Sequence, residues 1–318
     1  MDFRTVIPIQ QELDITHCDK VMMFGSCFST YMGEHLTNDL FFTSCNPLGI
    51  LFNPISILQT INRLKEDLEV QLADLFETNG IWNSFDFHSQ FAQLSAEQYL
   101  NHINPIIHQS HQFLKECDYL FITLGTAWYY RETATQKIVA NCHKQPARRF
   151  TRERLSVEEC ANALLDIIHG VHSINNHVNI VFTVSPIRHW KEGAHGNQIS
   201  KSTLLLAIED VLTHEKGIHY FPSYELLMDE LRDYRFYAED MLHPSEQAQK
   251  FIWEKFCAFV FSKETQETIK EIEEIQAAIH HKSFNPESAS YQQFKINTQK
   301  KIEAFQRKHP EITKFAFS

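Results

Sequence analysis

Five short apolar runs, VMMF (21–24), LFF (40–42), YLFITL (119–124), NIVFTV (179–184) and IHYF (218–221), constrain this chain more than any other feature. Each has the length and unbroken apolar character of a strand covered on both faces. Helix-like stretches separate them. SILQTINRLKEDL starts from Ser56 as cap, LSVEECANALLDIIHG opens on a capping box from Ser156 to Glu159 and closes near Gly170, and PSEQAQKFIWEKFCAFVF places Pro244 at the first helical position. Strands alternating with helices over some 250 residues predict an α/β fold with a mainly parallel sheet and helices on both faces. From about residue 263 the pattern changes to two charged helices joined around Asn285 and Pro286, without strands. The expected organisation is therefore one α/β domain over 1–262 and a C-terminal helical extension over 263–318.

At 318 residues, 43% of them hydrophobic, the chain can bury a large core, and a net charge of -11 argues against a general grip on nucleic acid or on an anionic membrane surface. No stretch offers the roughly 20 apolar residues of a membrane span, and the first residues do not read as a secretory signal. Seven scattered cysteines, at 18, 27, 45, 117, 142, 160 and 257, form no CxxC pair and fit a reducing compartment. A cytoplasmic protein without membrane or nucleic-acid partners is the expectation.

In an open parallel sheet, ligands gather at the carboxyl ends of the strands. Four of the runs are followed there by GSCFS, GTAWYY, SPIRHW and PSYE, and a later loop carries YAEDMLHPSE into a helix. In GSCFS, Gly25 supplies a tight turn and the next residues enter a helix near Phe28, whose free N–H groups would favour a thiolate and an oxyanion. Taken alone, the tripeptide also fits a capping Ser26 and a buried Cys27. The DMLHP block changes that balance, because Asp240 and His243 are spaced so that the carboxylate reaches one imidazole nitrogen and leaves the other for a nucleophile.

Arg188 and His189 in SPIRHW are candidate substrate contacts, the arginine suiting a carboxylate or phosphate. His88 and His143 are further candidates for the cleft. Lys144, Arg148, Arg149, Arg152 and Arg154 form a basic stretch that would suit an anionic donor such as coenzyme A, or would simply be solvated. His169 and His172 have helical spacing but lack an acidic third ligand, so no metal is expected. Neither GxGxxG nor GxxxxGK[ST] occurs, and no cofactor is expected.

FGSCFS, LGTAW and DMLHP together resemble the spaced blocks of the SGNH or GDSL-like hydrolases. With NPLGILFNP, SPIRH, SKS (200–202) and LRDYRFYAEDMLHP, the resemblance is closer to the GSCFA family, over roughly residues 20–260. It implies a flavodoxin-like three-layer α/β/α sandwich and a Cys/Ser–His–Asp arrangement. Asp240 and His243 match the block that supplies acid and base, and Gly49 matches the glycine whose N–H serves the oxyanion hole. The register places Ser26 on the family aspartate and Cys27 on the catalytic serine. It favours Cys27, which also needs less activation, with Ser26 as second candidate. The asparagine normally found after the third block's glycine is missing, leaving Thr126, Asn46 and Asn53 as replacements beside the N–H groups of Cys27 and Phe28. The implied activity is hydrolysis of a small-molecule or saccharide ester. The alternatives are acyl transfer to a saccharide or a non-catalytic glycan-binding scaffold.

Overall fold

The structure, a computed structural model, describes residues 4–282 and 284–312. Among the described residues, ten strands run in chain order: β1 (Lys20–Gly25), β2 (Phe42–Cys45), β3 (Phe76–Thr78), β4 (Ile81–Asn83), β5 (Tyr119–Leu124), β6 (Trp128–Glu132), β7 (Ile138–Val139), β8 (Phe150–Arg154), β9 (Asn179–Val184) and β10 (Ile218–Phe221). The α-helices are α1 (Cys27–Asn38), α2 (Pro54–Lys65), α3 (Ala96–Glu116), α4 (Val157–His172), α5 (Gly193–His214), the short α6 (Ser223–Glu225), α7 (Glu246–Val260), α8 (Lys263–His280) and α9 (Ala289–Lys308).

β2, β1, β5, β9 and β10 lie side by side in that order, all parallel. This is the flavodoxin-like order 2-1-3-4-5, in which the chain winds first to one side of β1 and then to the other. Side chains alternate across the sheet. Met22, Phe24, Leu120, Ile122, Ile180 and Phe182 join one buried cluster with α2 to α5. Val21, Met23, Phe121 and Val181 join another with α1 and α7. The result is the three-layer α/β/α sandwich. A hairpin of β3 and β4 and an antiparallel sheet in the order β7, β6, β8 rise beside it from the β2–α3 and β5–α4 connections.

Four expected features differ in detail. The second strand is Phe42–Cys45 rather than 40–42: Leu40 takes φ +66° as the main chain turns out of α1, with Phe41 N–H donating to Leu36 O (2.9 Å). The cap of α2 is Asn53, whose Oδ1 accepts from Ser56 N–H (2.9 Å), because Pro54 already starts the helix. Gly170 lies buried inside α4, facing Ile61 of α2, and the helix continues to His172. Ser245 rather than Pro244 adjoins the first residue of α7 and caps it, while Pro244 forms a bridge with Tyr237.

Ser262 caps α8, and Ile269 enters the same cluster as Phe256 and Phe259 of α7. Ile272, Ile275, Phe305 and Ile312 pack with Leu40, and Gln276 Nε2 donates to Asn38 O (2.5 Å). These contacts are made where the chain leaves α1 to enter β2. The C-terminal helices therefore dock towards the amino end of β2, opposite the strand ends discussed below. Residues 313–318 of the expected extension lie outside the described residues.

Candidate functional site

The order of the sheet reverses between β1 and β5, and the crevice outside their carboxyl ends is where a ligand fits. Gly25 ends β1 there with φ +141°, and a Cβ on it would lie 2.2 Å from Thr123 O, so only glycine lets the two strands approach this closely. Its N–H donates to Asn46 Oδ1 (2.8 Å), and its carbonyl accepts from Leu51 N–H (3.1 Å). The neighbouring loop is clamped on the other side by Gly125 and Thr126, whose N–H groups both donate to Phe52 O (2.8 and 2.9 Å).

Ser26 and Cys27 leave this turn in different directions. Ser26 is 2% exposed and its Oγ accepts from Phe28 N–H (3.3 Å), so it caps α1. Cys27 is half-buried, and burial raises its thiol pKa against the opposing pull of the N–H groups of Cys27 and Phe28 and of the Lys201 charge. Both line a small pocket of about 40 Å³ with Phe52, Thr126, Ser185 and Arg188, among others.

His189 also belongs to this pocket, its ring stacked 6.2 Å from that of Phe52. Burial lowers its pKa, assisted by the charges of Arg152, Lys201 and Lys191. Arg188 is half-buried; its Nη2 lies 3.2 Å from Met228 Sδ, its Nε has no hydrogen-bond partner, and among the described residues no carboxylate pairs with it. It also lines a cleft of about 590 Å³ with Asp240, Tyr237 and Met228.

Asp240 and His243 form a dyad on the loop before α7. Asp240 Oδ2 lies 2.5 Å from His243 Nδ1, and Oδ1 accepts from the N–H groups of Leu242 and His243 (both 2.9 Å). The N–H of His243, then that of Leu242, then the His243 side chain hold the Asp240 carboxyl down at about 2. Met241 takes φ +58° to close this turn. The dyad is half exposed, and no hydrogen bond among the described residues joins His243 to Ser26 or Cys27. The cleft holding Asp240 and the pocket holding Cys27 share Arg188.

The expected oxyanion donors are largely engaged elsewhere. Gly49 takes φ +92° against His88, but its N–H donates to Asn46 O (2.8 Å) and it does not line the pocket, which corrects the expected donor. Asn46 binds Gly25 and, through Nδ2, Thr30 Oγ1 (3.1 Å). Asn53 caps α2, its Nδ2 donating to Ser56 Oγ (3.0 Å). Thr126 Oγ1 accepts from Trp128 N–H (3.1 Å) and faces Ser200 Oγ at 3.1 Å. Of the two N–H groups beside Sγ, that of Phe28 is shared with Ser26 Oγ (3.3 Å), and that of Cys27 is the one left.

Several other candidates are structural. His143 is held by Ser84 O (2.7 Å) and Ser89 Oγ (3.1 Å), and His88 caps a short turn. His169 meets Glu215 (3.2 Å), while His172 Nε2 lies 3.4 Å from Val178 O. Among the described residues no three of His, Cys, Asp and Glu gather as metal ligands would. Of the basic stretch, Arg149 pairs with Glu132 and Arg152 with the buried Glu192. Arg152, Lys144 and Lys191 nevertheless line a third pocket of about 440 Å³, with Trp128, Tyr130 and Phe150, that shares Phe52, Thr126 and His189 with the Cys27 pocket.

Within SKS (200–202), Lys201 is a residue of this site to which the sequence alone assigns no role. Lys201 is 0% exposed, its Nζ donating to Ser185 O (2.7 Å) beside the Cys27 pocket. The signal was present: Asn197, Leu204, Ile208 and Val211 repeat at helical spacing around position 201, which puts the lysine on the inward face of α5.

No helix among the described residues is long and apolar enough to cross a membrane. No curated protein matches the chain. Among solved structures it is similar to a family 3 carbohydrate esterase of Clostridium thermocellum, with 11% identity, TM-score 0.38, and 79% of this chain and 97% of that one covered. It is also similar to a family two carbohydrate esterase of Clostridium thermocellum, crystallised with cellohexaose, with 11% identity, TM-score 0.34 and coverage of 80% and 65%. An acetyl xylan esterase of Butyrivibrio proteoclasticus shows 8% identity, TM-score 0.37 and coverage of 79% and 63%. The chain thus spans less than two thirds of the length of the latter two. The sequence profile of the GSCFA family matches residues 20–256, and that of the GSCFA domain protein C-terminal domain matches residues 272–316. On that match, which takes in the glycine turn, the clamped loop and the Asp240–His243 dyad, the chain belongs to the GSCFA family.

Proposed function

We propose that this protein is an SGNH-like acyl hydrolase with Cys27 as its nucleophile. The observation that carries the reading is the division of labour at the turn after β1: Ser26 is buried as the cap of α1, accepting from Phe28 N–H, while Cys27 lines a pocket at the switch point of the sheet with its own N–H and the shared Phe28 N–H beside its sulfur. Such donors stabilise the negative charge of a tetrahedral intermediate. Sγ gives its proton to a base beside the pocket as it attacks the ester carbonyl carbon, the C–O bond to the alcohol breaks, and an acyl thioester forms on Cys27. His243, oriented by Asp240 and carrying a proton, gives it to the departing alkoxide and regains one from the water that attacks the thioester, after which the thiolate leaves and recovers its proton from that base. Arg188, shared by the two clefts and unpaired with any carboxylate among the described residues, holds an anionic or strongly polar part of the substrate.

Hydrolysis of short acyl esters and of acetylated saccharides by wild type, Cys27→Ala, Ser26→Ala and His243→Ala tests this. Turnover is expected to vanish in Cys27→Ala, to fall about 10²- to 10⁴-fold in His243→Ala, and to survive in Ser26→Ala. Full turnover in Cys27→Ala or His243→Ala refutes the mechanism.

Acyl transfer is the second reading, favoured by the pocket where Lys144, Arg152 and Lys191 surround aromatic rings next to Cys27. Those ammonium and guanidinium groups suit an anionic acyl donor such as an acyl-coenzyme A thioester. Transfer from that donor to a saccharide at a rate exceeding hydrolysis selects this reading.

A further inference from the structure

A thiol in this pocket needs a base, because burial holds Cys27 in its protonated form. The Asp240–His243 dyad is half exposed and makes no hydrogen bond to Cys27. Behind Ser185, which lines the pocket, however, lies an amine that no part of the mechanism above uses. Lys201 is fully buried on α5, where its Nζ makes one hydrogen bond, to Ser185 O at 2.7 Å, and faces the ring of Tyr224 at 5.5 Å. No carboxylate pairs with it among the described residues. Keeping an isolated ammonium in such a place costs several kcal/mol, so burial shifts the balance of the group towards the free amine.

Burial lowers its pKa to about 7, and the charges of Lys201 and Cys27 act on each other in opposite directions, the lysine lowering the thiol and the thiolate raising the amine. The titratable and charged groups facing this pair are Tyr224 after β10, and His189 and Arg188 between β9 and α5. None is an anion at neutral pH that would compete with Cys27 for the lysine. A free amine that spends one N–H on Ser185 O keeps its lone pair, and a base titrating near neutrality is well matched to take a proton from a thiol.

We propose that Lys201 is the general base of Cys27, so that the S–H bond breaks as Sγ attacks and the proton moves to the Lys201 Nζ lone pair. The ammonium so formed is then paired with the negative charge of the intermediate, and it returns the proton to sulfur when the product acid leaves. His243 keeps the proton transfers of the alcohol and the water. The catalytic meaning of this rests on Cys27 being the nucleophile, but the proton transfer can be read without any ester.

The experiment is the pH dependence of Cys27 alkylation by iodoacetamide, followed by mass spectrometry of the peptide carrying it, with the exposed Cys18 as internal control. Wild type is expected to show an inflection near neutrality. In Lys201→Met and Lys201→Arg, checked for folding by circular dichroism, that inflection should be lost and the rate near neutral pH should fall about tenfold or more. The arginine variant keeps the charge but cannot accept a proton, so retained reactivity in it would show that only the charge acts and overturn the proposal. His243→Ala, expected to impair ester turnover, should keep the wild-type alkylation profile. If its inflection disappears, His243 is the base and the proposal fails, a result readable even where neither lysine variant folds. Because alkylation needs no ester, failure of the hydrolase reading leaves these outcomes unchanged.

Discussion

Replacing Asp39 by asparagine should stabilise the protein, and do so only above acidic pH. Asp39 caps the carboxyl end of α1, with its N–H donating to His35 O and its carbonyl accepting from His17 Nε2 (3.0 Å). Its carboxyl is another matter: the residue is 3% exposed and Oδ2 has no hydrogen-bond partner. Burial, with Glu273 of α8 adding to it, raises the group to about 7. In the unfolded chain it titrates near 3.9. The folded state therefore holds the proton about three units more tightly. Its contribution to stability is intact below about pH 3.9 and is lost as the pH rises to about 7, a total of about 4 kcal/mol. Asparagine is neutral throughout, with nearly the same shape. Asp39→Asn should exceed wild type by about 0.5 kcal/mol near about pH 4 and by about 4 kcal/mol near about pH 8. For a chain of this size the larger figure corresponds to a rise in Tm of roughly 6 °C. Thermal melts of both proteins across that range measure it. A gap that stays constant with pH, or a less stable variant near pH 8, refutes the reasoning.

Ser26→Ala removes the cap of α1 and should cost about 1 kcal/mol in denaturant titrations, while Cys27 alkylation at a given pH stays within a few-fold of wild type. In Asp240→Asn the His243 ring loses its orienting acceptor, so ester turnover should drop by about 10²-fold or more with alkylation of Cys27 unchanged. Since Asp240 stays ionised down to about 2, an acid limb of turnover above about pH 4 should not shift when this side chain alone is altered to Glu. Gly25→Ala puts a Cβ 2.2 Å from Thr123 O at a φ of +141°, and its Tm should fall by several degrees, corresponding to about 2 kcal/mol or more.

The strands at 119–124, 179–184 and 218–221 were legible to the residue, because a strand buried on both faces must be apolar throughout and stops being so where the chain reaches a surface. The second strand was displaced because Phe41 is as apolar as a strand residue but packs between His17 and Phe261 in a turn. The helical extension was visible as charged periodicity. Its docking site was not, since Leu40 and Asn38 carry no mark of a distant partner.

At the site, the glycine turn and the Asp240–His243 spacing could be read locally. Which of Ser26 and Cys27 caps α1 depends on the main-chain angle at the turn, which the sequence does not display. Asn46, Asn53 and Thr126 have the chemistry of oxyanion donors, and only their three-dimensional partners show them to be occupied. Lys201 was passed over because a lone lysine in a helix suggests solvent unless the whole inward face is traced.

Ser200 and Lys201, adjacent on α5, grip different loops. Ser200 Oγ accepts from Ala127 N–H (2.8 Å) after β5, and Lys201 Nζ donates to Ser185 O (2.7 Å) after β9. Since β5 and β9 are neighbours in the sheet, one turn of a helix behind them sets how far apart their ends stand. The calibre of the crevice thus belongs to α5, and its lining belongs to the loops. Exchanging the side chains of Trp128 or of residues 187–189 would change what is recognised, while the aperture through which it is recognised stays the same.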